Sequence, residues 1–346
     1  MDLENTLKKI SENNFLIIGR AGIDIYPDPP GTKTELAKKF ITHLGGSSAN
    51  IAVALTKLGG RCKLLTSVSD DALGRLALNQ LNDYNVDTSL IISEKGESRI
   101  SFAVVESRIE DHQSIIYRHG AADLLMKKEY IERVNFNDYS CLIFTGTCLA
   151  SEPSRGAIFL SLEKAKNANI PVILDIDYRP YTWESSQEAS QVYLKASSLC
   201  DILIGNDDEF GVLAMKFEDS FQQAKELSKS ISLVIFKKGE KGSVTLFNNK
   251  EITKGIFPVK ALKPTGAGDA FMGAFIGSLL NVKSVEESIE IGSATKPAIF
   301  TVSTNTDEPA KPPVGADRTS TVPARLYKEV ATSPLRVKSV GSSPKA

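Results

Sequence analysis

The sequence has little charge imbalance to offer a polyanion. Forty-one lysines and arginines stand against forty-two aspartates and glutamates. No block of either sign occurs, which removes the electrostatic case for a nucleic acid or an anionic membrane as partner. Long apolar runs are also missing. Nothing approaches the roughly 18 residues of a membrane-spanning helix, and the start, M-D-L-E-N-T-L-K-K-I, has no apolar core of the kind a secretory signal carries. The expectation is a cytoplasmic protein with soluble partners. Cysteine is scarce: Cys62, Cys141, Cys148 and Cys200 lie in apolar surroundings without a C-x-x-C spacing, which predicts reduced core thiols. The three histidines, His43, His112 and His119, show no metal-ligand spacing. What remains is a chain of 346 residues, long enough for one large α/β domain or two smaller ones.

The most informative stretch runs from Val259 to Leu280, V-K-A-L-K-P-T-G-A-G-D-A-F-M-G-A-F-I-G-S-L-L. It reads as a short extended segment closed by Pro264, a turn at Gly266-Ala267-Gly268, and a buried helix opened by Asp269. A helix start carries unpaired N–H groups and a partial positive charge, so side-chain-free glycines in front of it form an anion cradle. A phosphoryl group in transfer suits that cradle. Asp269 at the same helix start can take the proton of a hydroxyl nucleophile while the amides stabilise charge developing on phosphate. The plainer alternative is a helix start capped by Asp269 and nothing more.

The N-terminal half gives a short strand, Phe15 to Gly19, with Asp24 just beyond its end, where open α/β sheets bind ligands. A turn and an extended return follow over 26–44. Gly45-Gly46-Ser47-Ser48-Ala49-Asn50 then opens a second glycine-led buried helix that stops at Gly59-Gly60, with Asn50 in its first turns. Asn50 can equally serve there as a local cap. Cys62 to Val68 reads as a strand and Asp70 to about Tyr84 as a helix. Arg99 to Val105 and Ser114 to Arg118 alternate apolar and polar residues like a small sheet with one wet face, a plausible lid that keeps water from the phosphoryl group. From Cys141 onward strand and helix alternate, which argues for a mostly parallel sheet covered on both faces.

Four motifs, Gly45-Gly46-x-x-Ala49-Asn50, Asn206-Asp207-Asp208-Glu209, Lys238-Gly239-x-x-Gly242 and Gly266-Ala267-Gly268-Asp269, occur in the order found in the ribokinase-like (PfkB) carbohydrate kinases, which the chain resembles over roughly residues 14 to 294. The resemblance implies an α/β, ribokinase-like fold: a central, mostly parallel sheet with helices on both faces and a small β-sheet lid. It implies ATP-dependent transfer to a sugar hydroxyl with Mg²⁺, and self-association through the lid. Carried over by position, Asp269 is the expected catalytic base, with the amides of Gly266, Ala267 and Gly268 as the anion hole. Asn206 and Glu209 match the motif that organises Mg²⁺ and phosphates through water. Lys238, Gly239 and Gly242 match the nucleotide-side loop, and Asp24, Gly46 and Asn50 the sugar-hydroxyl contacts.

Two further stretches, Tyr117-Arg118-x-x-Ala121-Ala122-Asp123 and Asp177-Tyr-Arg-Pro-Tyr-Thr-Trp183, resemble a branch of that family acting on a six-carbon keto-acid sugar. An acidic sugar needs a fixed cation, and a guanidinium grips a carboxylate bidentately. Tyr117, Arg118 and Arg179 are therefore expected near the sugar, with the alternative that Arg179 pairs with Asp175 or Asp177 and only pins a loop. A kinase for 2-keto-3-deoxygluconate or fructose, and a non-catalytic sugar or nucleotide binder, remain open. The kinase domain is expected over 1–295, with lid strands within about 20–45 and 98–120. After Ala294, Lys296-Pro297 should interrupt a helix that begins near Val285. Residues 296–346, rich in Pro, Ser and Thr, read as an atypical, irregular tail with room for a short helix at Ala324 to Val330.

Overall fold

A computed structural model describes residues 1–108, 111–256, 266–281 and 283–294. The segment closed by Pro264, the interruption at Lys296-Pro297 and the tail over 296–346 lie outside the described residues. Thirteen strands are described: β1 (Phe15–Ile18), β2 (Gly22–Asp28), β3 (Lys39–Gly45), β4 (Cys62–Ser69), β5 (Asp87–Glu94), β6 (Ser101–Val105), β7 (Ser114–Tyr117), β8 (Cys141–Thr145), β9 (Val172–Asp175), β10 (Ile202–Asn206), β11 (Leu233–Lys237), β12 (Ser243–Phe247) and β13 (Lys250–Lys254). The helices are α1 (Leu3–Ser11), α2 (Ser47–Lys57), α3 (Ala72–Asp83), α4 (Lys128–Glu132), α5 (Ser154–Asn167), α6 (Ser186–Ser197), α7 (Asp207–Ala214), α8 (Ser220–Leu227), α9 (Ala267–Leu280) and α10 (Val285–Ala294).

Nine strands form one sheet in the order β13-β12-β11-β10-β9-β8-β1-β4-β5, parallel except for the antiparallel pairings β11–β12 and β12–β13. The central strands β1, β8 and β9 are buried at every position because both faces of the sheet are covered. Successive side chains feed opposite cores. Phe15 and Ile17 join Ala52, Met272 and Phe275 on one face, whereas Leu16 and Ile18 join Leu162, Tyr193 and Phe210 on the other. All four cysteines are buried and unbridged, as expected from their apolar neighbours.

The second sheet, in the order β3-β2-β6-β7, pairs β2 with β3 and β6 with β7 antiparallel, and β2 with β6 parallel. Its own core is small: Tyr26, Ala103 and Val105, with Ile116 packed against them. That matches the alternating pattern read from the sequence.

Four of the strands and helices were not anticipated, among them the short helix α4. β5 is an edge strand, D-T-S-L-I-I-S-E, whose polar ends conceal it, and α7 begins inside the Asn206–Glu209 motif. α1 is a capped surface helix held by the Asp2 carboxylate, which accepts the Asn5 N–H. One position is corrected: Asp24 does not lie just beyond a strand end but inside β2, opposite His43 and Ala103. The chain turns at Arg20-Ala21 and immediately re-enters extended structure.

The chain leaves β1 for β4 and β5 on one side, and later continues through β8 and β9 on the other. Such a change of direction opens a crevice at the carboxyl ends of the strands. Arg20 after β1, Asp175 closing β9 and Asp177 just past it, Asn206 ending β10 and Lys237 ending β11 all stand at that edge.

Candidate active site

α9 begins where Gly266 adopts a left-handed conformation, φ 82°, that a side chain would strain. The turn is shorter than the sequence suggested: Ala267 and Gly268 already belong to the first helical turn, with Asp269 beside them. A Cβ at Gly268 would meet Lys237 Nζ at 3.4 Å. The helix N-terminus therefore presents amides and a lysine ammonium to one small space, an arrangement suited to phosphate oxygens.

α9 and α2 cross closely because Gly273 has no side chain; a Cβ there would lie 2.4 Å from the Ala54 Cβ. This contact fixes the two helix starts together. Asn50 Nδ2 donates to Asp269 Oδ2 at 2.8 Å, and Asn50 Oδ1 is buried without a hydrogen-bond partner. Gly46, the residue before α2, has φ 96°, and a Cβ on it would strike the Arg20 carbonyl oxygen at 2.4 Å. Asp24 is buried next to Gly45 and receives the Tyr26 hydroxyl at 3.4 Å.

The Asp269 carboxyl is pushed up to about 7, first by burial and then by the negative charge of Asp177, while the Asn50 hydrogen bond and Arg179 act in the opposite sense. A carboxyl that titrates near neutrality is well matched to accepting a hydroxyl proton. The end of β9 and the backbone just after it carry the next three charges. Asp175 Oδ1 lies 3.7 Å from Lys237 Nζ, and Asp177 Oδ1 lies 2.6 Å from Arg179 Nη2. Asp175 Oδ1 and Asp177 Oδ2 are buried without a hydrogen bond. Burial raises the Asp175 pKa against the pull of Lys237. Burial opposes the Lys237 charge, yet Asp175, Glu209 and Asp269 together hold its pKa above the usual lysine value.

Asn206 and Glu209 form a capping box on α7. Asn206 Oδ1 accepts the Glu209 N–H at 2.9 Å, and the Glu209 carboxylate accepts the Asn206 N–H at 2.7 Å. Burial pushes the Glu209 carboxyl up to about 7 despite Lys237. The loop over Lys238, Gly239 and Gly242 closes on itself, with the Lys238 N–H donating to the Gly242 carbonyl at 2.7 Å.

Among the residues expected near the sugar, Tyr117 is 58% exposed on the edge strand β7 and tilts against Phe102. Arg118 is buried: its Nε and Nη2 both donate to Asp123 Oδ2, and Nη1 donates to the Thr147 carbonyl at 2.8 Å. All three nitrogens are engaged by protein. Arg179 also donates from Nη1 to the Tyr178 carbonyl at 2.9 Å, so the loop-pinning contact with Asp177 is present. Burial raises the pKa of the Tyr181 phenol nearby, and the charges of Arg179, Arg20 and Arg118 pull against it.

Sequence reasoning passed over Lys237 and Arg20 as functional residues. Their signal was available: each is a charged residue following an apolar strand, L-V-I-F-K and F-L-I-I-G-R, at the carboxyl edge where ligands bind. No cluster of three or more potential metal-ligating side chains occurs among the described residues. The Asp175 Oδ1 and Asp177 Oδ2 atoms, which make no hydrogen bond, and the Glu209 carboxyl nevertheless fit Mg²⁺, which usually keeps several waters and relies on substrate phosphates rather than a protein cage.

A large, mostly parallel sheet with a four-stranded lid over its carboxyl edge is the fold of the ribokinase-like sugar kinases. A Vibrio cholerae fructokinase with fructose, ADP and calcium bound superposes with a TM-score of 0.71 at 22% identity, covering 92% of this chain and 99% of that one. A Pyrococcus horikoshii sugar kinase in complex with ATP gives 0.69 at 23% identity, covering 81% and 89%. Residues 12–308 match the pfkB family of carbohydrate kinases, and the chain belongs to that family. It is thus a phosphotransferase with an alcohol acceptor. The 5-dehydro-2-deoxygluconokinase of Photobacterium profundum is 35% identical over 303 residues, spanning 86% of this chain and 91% of that protein. The protein of the same name from Geobacillus thermodenitrificans is 33% identical over 287 residues, spanning 81% and 85%.

Proposed function

We propose that this kinase transfers the γ-phosphoryl group of ATP to the primary hydroxyl of 5-dehydro-2-deoxy-D-gluconate, with Asp269 as general base. The observation that carries the chemistry is the Asp269 carboxyl, raised to about 7 and held by Asn50 at the start of α9. Above that pH it is a carboxylate able to take the hydroxyl proton as the oxygen attacks phosphorus. Free amides at Gly266, Ala267 and Gly268 would stabilise charge on the transferred group, and Lys237 would neutralise phosphate oxygens beside them. Asp24, Gly46 and Asn50 would orient the sugar, while Asn206, Glu209 and the loop 238–242 would serve the nucleotide side. Mg²⁺, held through water by Glu209 with Asp175 and Asp177 near it, would supply charge neutralisation between the phosphates. The substrate rests on the names of the relatives and on the arginines at the sugar end.

Turnover measured as ADP release with Mg²⁺-ATP over 5-dehydro-2-deoxygluconate, 2-keto-3-deoxygluconate and fructose tests this reading. The first should give the highest kcat/KM. A clear preference for fructose would replace the acid reading, and ATP binding without turnover on any of them would return the chain to the class of non-catalytic binders.

A further inference from the structure

Three arginines border the sugar end, and they are not equivalent. Arg118 is locked to Asp123 and the Thr147 carbonyl, and Arg179 is paired with Asp177. Arg20 is only 7% exposed, yet its one described side-chain hydrogen bond runs from Nη1 to Ser101 Oγ at 2.7 Å. Its Nε is buried without a partner, and no carboxylate among the described residues forms an ion pair with it. A buried guanidinium without a counter-ion is costly, and such a charge is retained where a ligand supplies the missing anion.

The position of Arg20 favours a substrate as that ligand. It follows β1 at the crevice edge, and its carbonyl accepts the Ala49 N–H at 3.2 Å. That contact ties it to the start of α2, one residue before the Asn50 that holds Asp269. Its guanidinium reaches the other way, to Ser101 on β6, the strand paired with the Asp24-bearing β2. Arg20 thus spans from the reacting end of the site to the lid sheet. A six-carbon acid phosphorylated at its primary hydroxyl carries the carboxylate at the opposite end of its chain from the reacting group. The cation that grips this carboxylate therefore belongs away from Asp269, whereas the charge of Arg179 acts on Asp269 directly.

We propose that Arg20 receives the substrate carboxylate and sets the preference of this kinase for a sugar acid over a neutral sugar. The inference rests on the sugar-acid reading above. Arg20 would donate Nε–H and an Nη–H to the two carboxylate oxygens while Ser101 keeps the guanidinium plane in place.

The test compares wild type with Arg20→Met and Arg20→Gln in kcat/KM for 5-dehydro-2-deoxygluconate and for fructose, and in thermal melting without ligand. In both variants the ratio of acid to fructose kcat/KM should fall about thirtyfold or more, the loss typical when one side of a buried charge pair is removed. The unliganded melting temperature should hold or rise, because the substitution removes an unpaired buried charge; a purely structural arginine would give a fall. Should Arg20→Met fail to fold, Arg20→Gln, whose amide can still reach Ser101, carries the comparison. An unchanged ratio with a lower melting temperature would overturn the role of Arg20 while leaving the sugar-acid reading intact. A wild-type enzyme that turns over fructose and not the acid would remove both.

Discussion

On one side of the crevice the carboxyl groups of Asp175, Glu209 and Asp269 face the Lys237 ammonium, whereas on the other Arg118 and Arg179 are paired with Asp123 and Asp177, and Arg20 forms no ion pair among the described residues. One side is short of positive charge, and the other holds a buried guanidinium with no carboxylate paired to it. Neither imbalance serves the stability of the folded chain, since buried charge without a partner is costly. Each makes sense when the missing charge arrives with a ligand: a divalent cation with ATP at one end, a carboxylate at the other. The lesson is that the pairing state of a charged residue is more informative than its identity. Arg118 and Arg179 resemble substrate-binding arginines in sequence, yet among the described residues the one of the three left without a carboxylate is Arg20.

The comparison can be broken most drastically at the phosphate end. Chelation with EDTA should abolish turnover, because the carboxylates around Glu209 then lose the cation that lets them tolerate ATP, and added Mg²⁺ should restore it. Full activity in a metal-free assay contradicts that assignment. Asp269→Asn should lower kcat by about a hundredfold or more while the ATP dissociation constant holds, since the amide cannot accept the proton; near wild-type kcat would remove Asp269 as base. A smaller effect is expected from Arg179→Met, roughly tenfold in kcat/KM and similar for acid and neutral sugars, because the change frees Asp177 beside Asp269 rather than removing a carboxylate grip. A loss confined to the acid would transfer to Arg179 the role assigned to Arg20.

A further effect concerns stability rather than turnover. Burial raises the Asp269 pKa in the folded state from 3.8 to about 7. The wild-type protein is therefore favoured below about pH 4 and loses that advantage as pH climbs through about 7. Asp269→Asn carries no such penalty, and its amide can donate to the unpartnered Asn50 Oδ1. At pH 8 the variant should be more stable than wild type by about 2–4 kcal/mol in chemical denaturation, with the difference vanishing near pH 4. A variant less stable at pH 8 would show that the carboxylate is not strained by its site.

Much of this architecture was legible in the sequence because the central strands are buried on both faces and read as unbroken apolar runs; α5 and β9 fall where the pattern placed them. The lid was legible for the opposite reason, the alternation in Ser101–Val105. β5 was not, since an edge strand with polar ends breaks its own pattern. At the site, Asp269 and Asn50 could be named from glycine-led helix starts, but their hydrogen bond depends on the Gly273–Ala54 crossing, 219 residues apart for the bonded pair, which no local pattern encodes. The commitments of Arg118 to Asp123 and of Glu209 to the α7 cap are short-range and could have been suspected. That Arg20 finds only Ser101, and no carboxylate, among the described residues could not, because side-chain pairing depends on elements distant in sequence.

The claim on which the rest depends is that Asp269 works as a carboxylate with a pKa raised to near neutrality. The most direct measurement is kcat/KM for 5-dehydro-2-deoxygluconate against pH, with ATP held well below its own KM, so that the profile reports the free enzyme. The rate should fall tenfold per unit on the acid side, with an apparent pKa of about 7. A profile that stays flat down to about pH 5, the range of an ordinary carboxylate, would contradict the account.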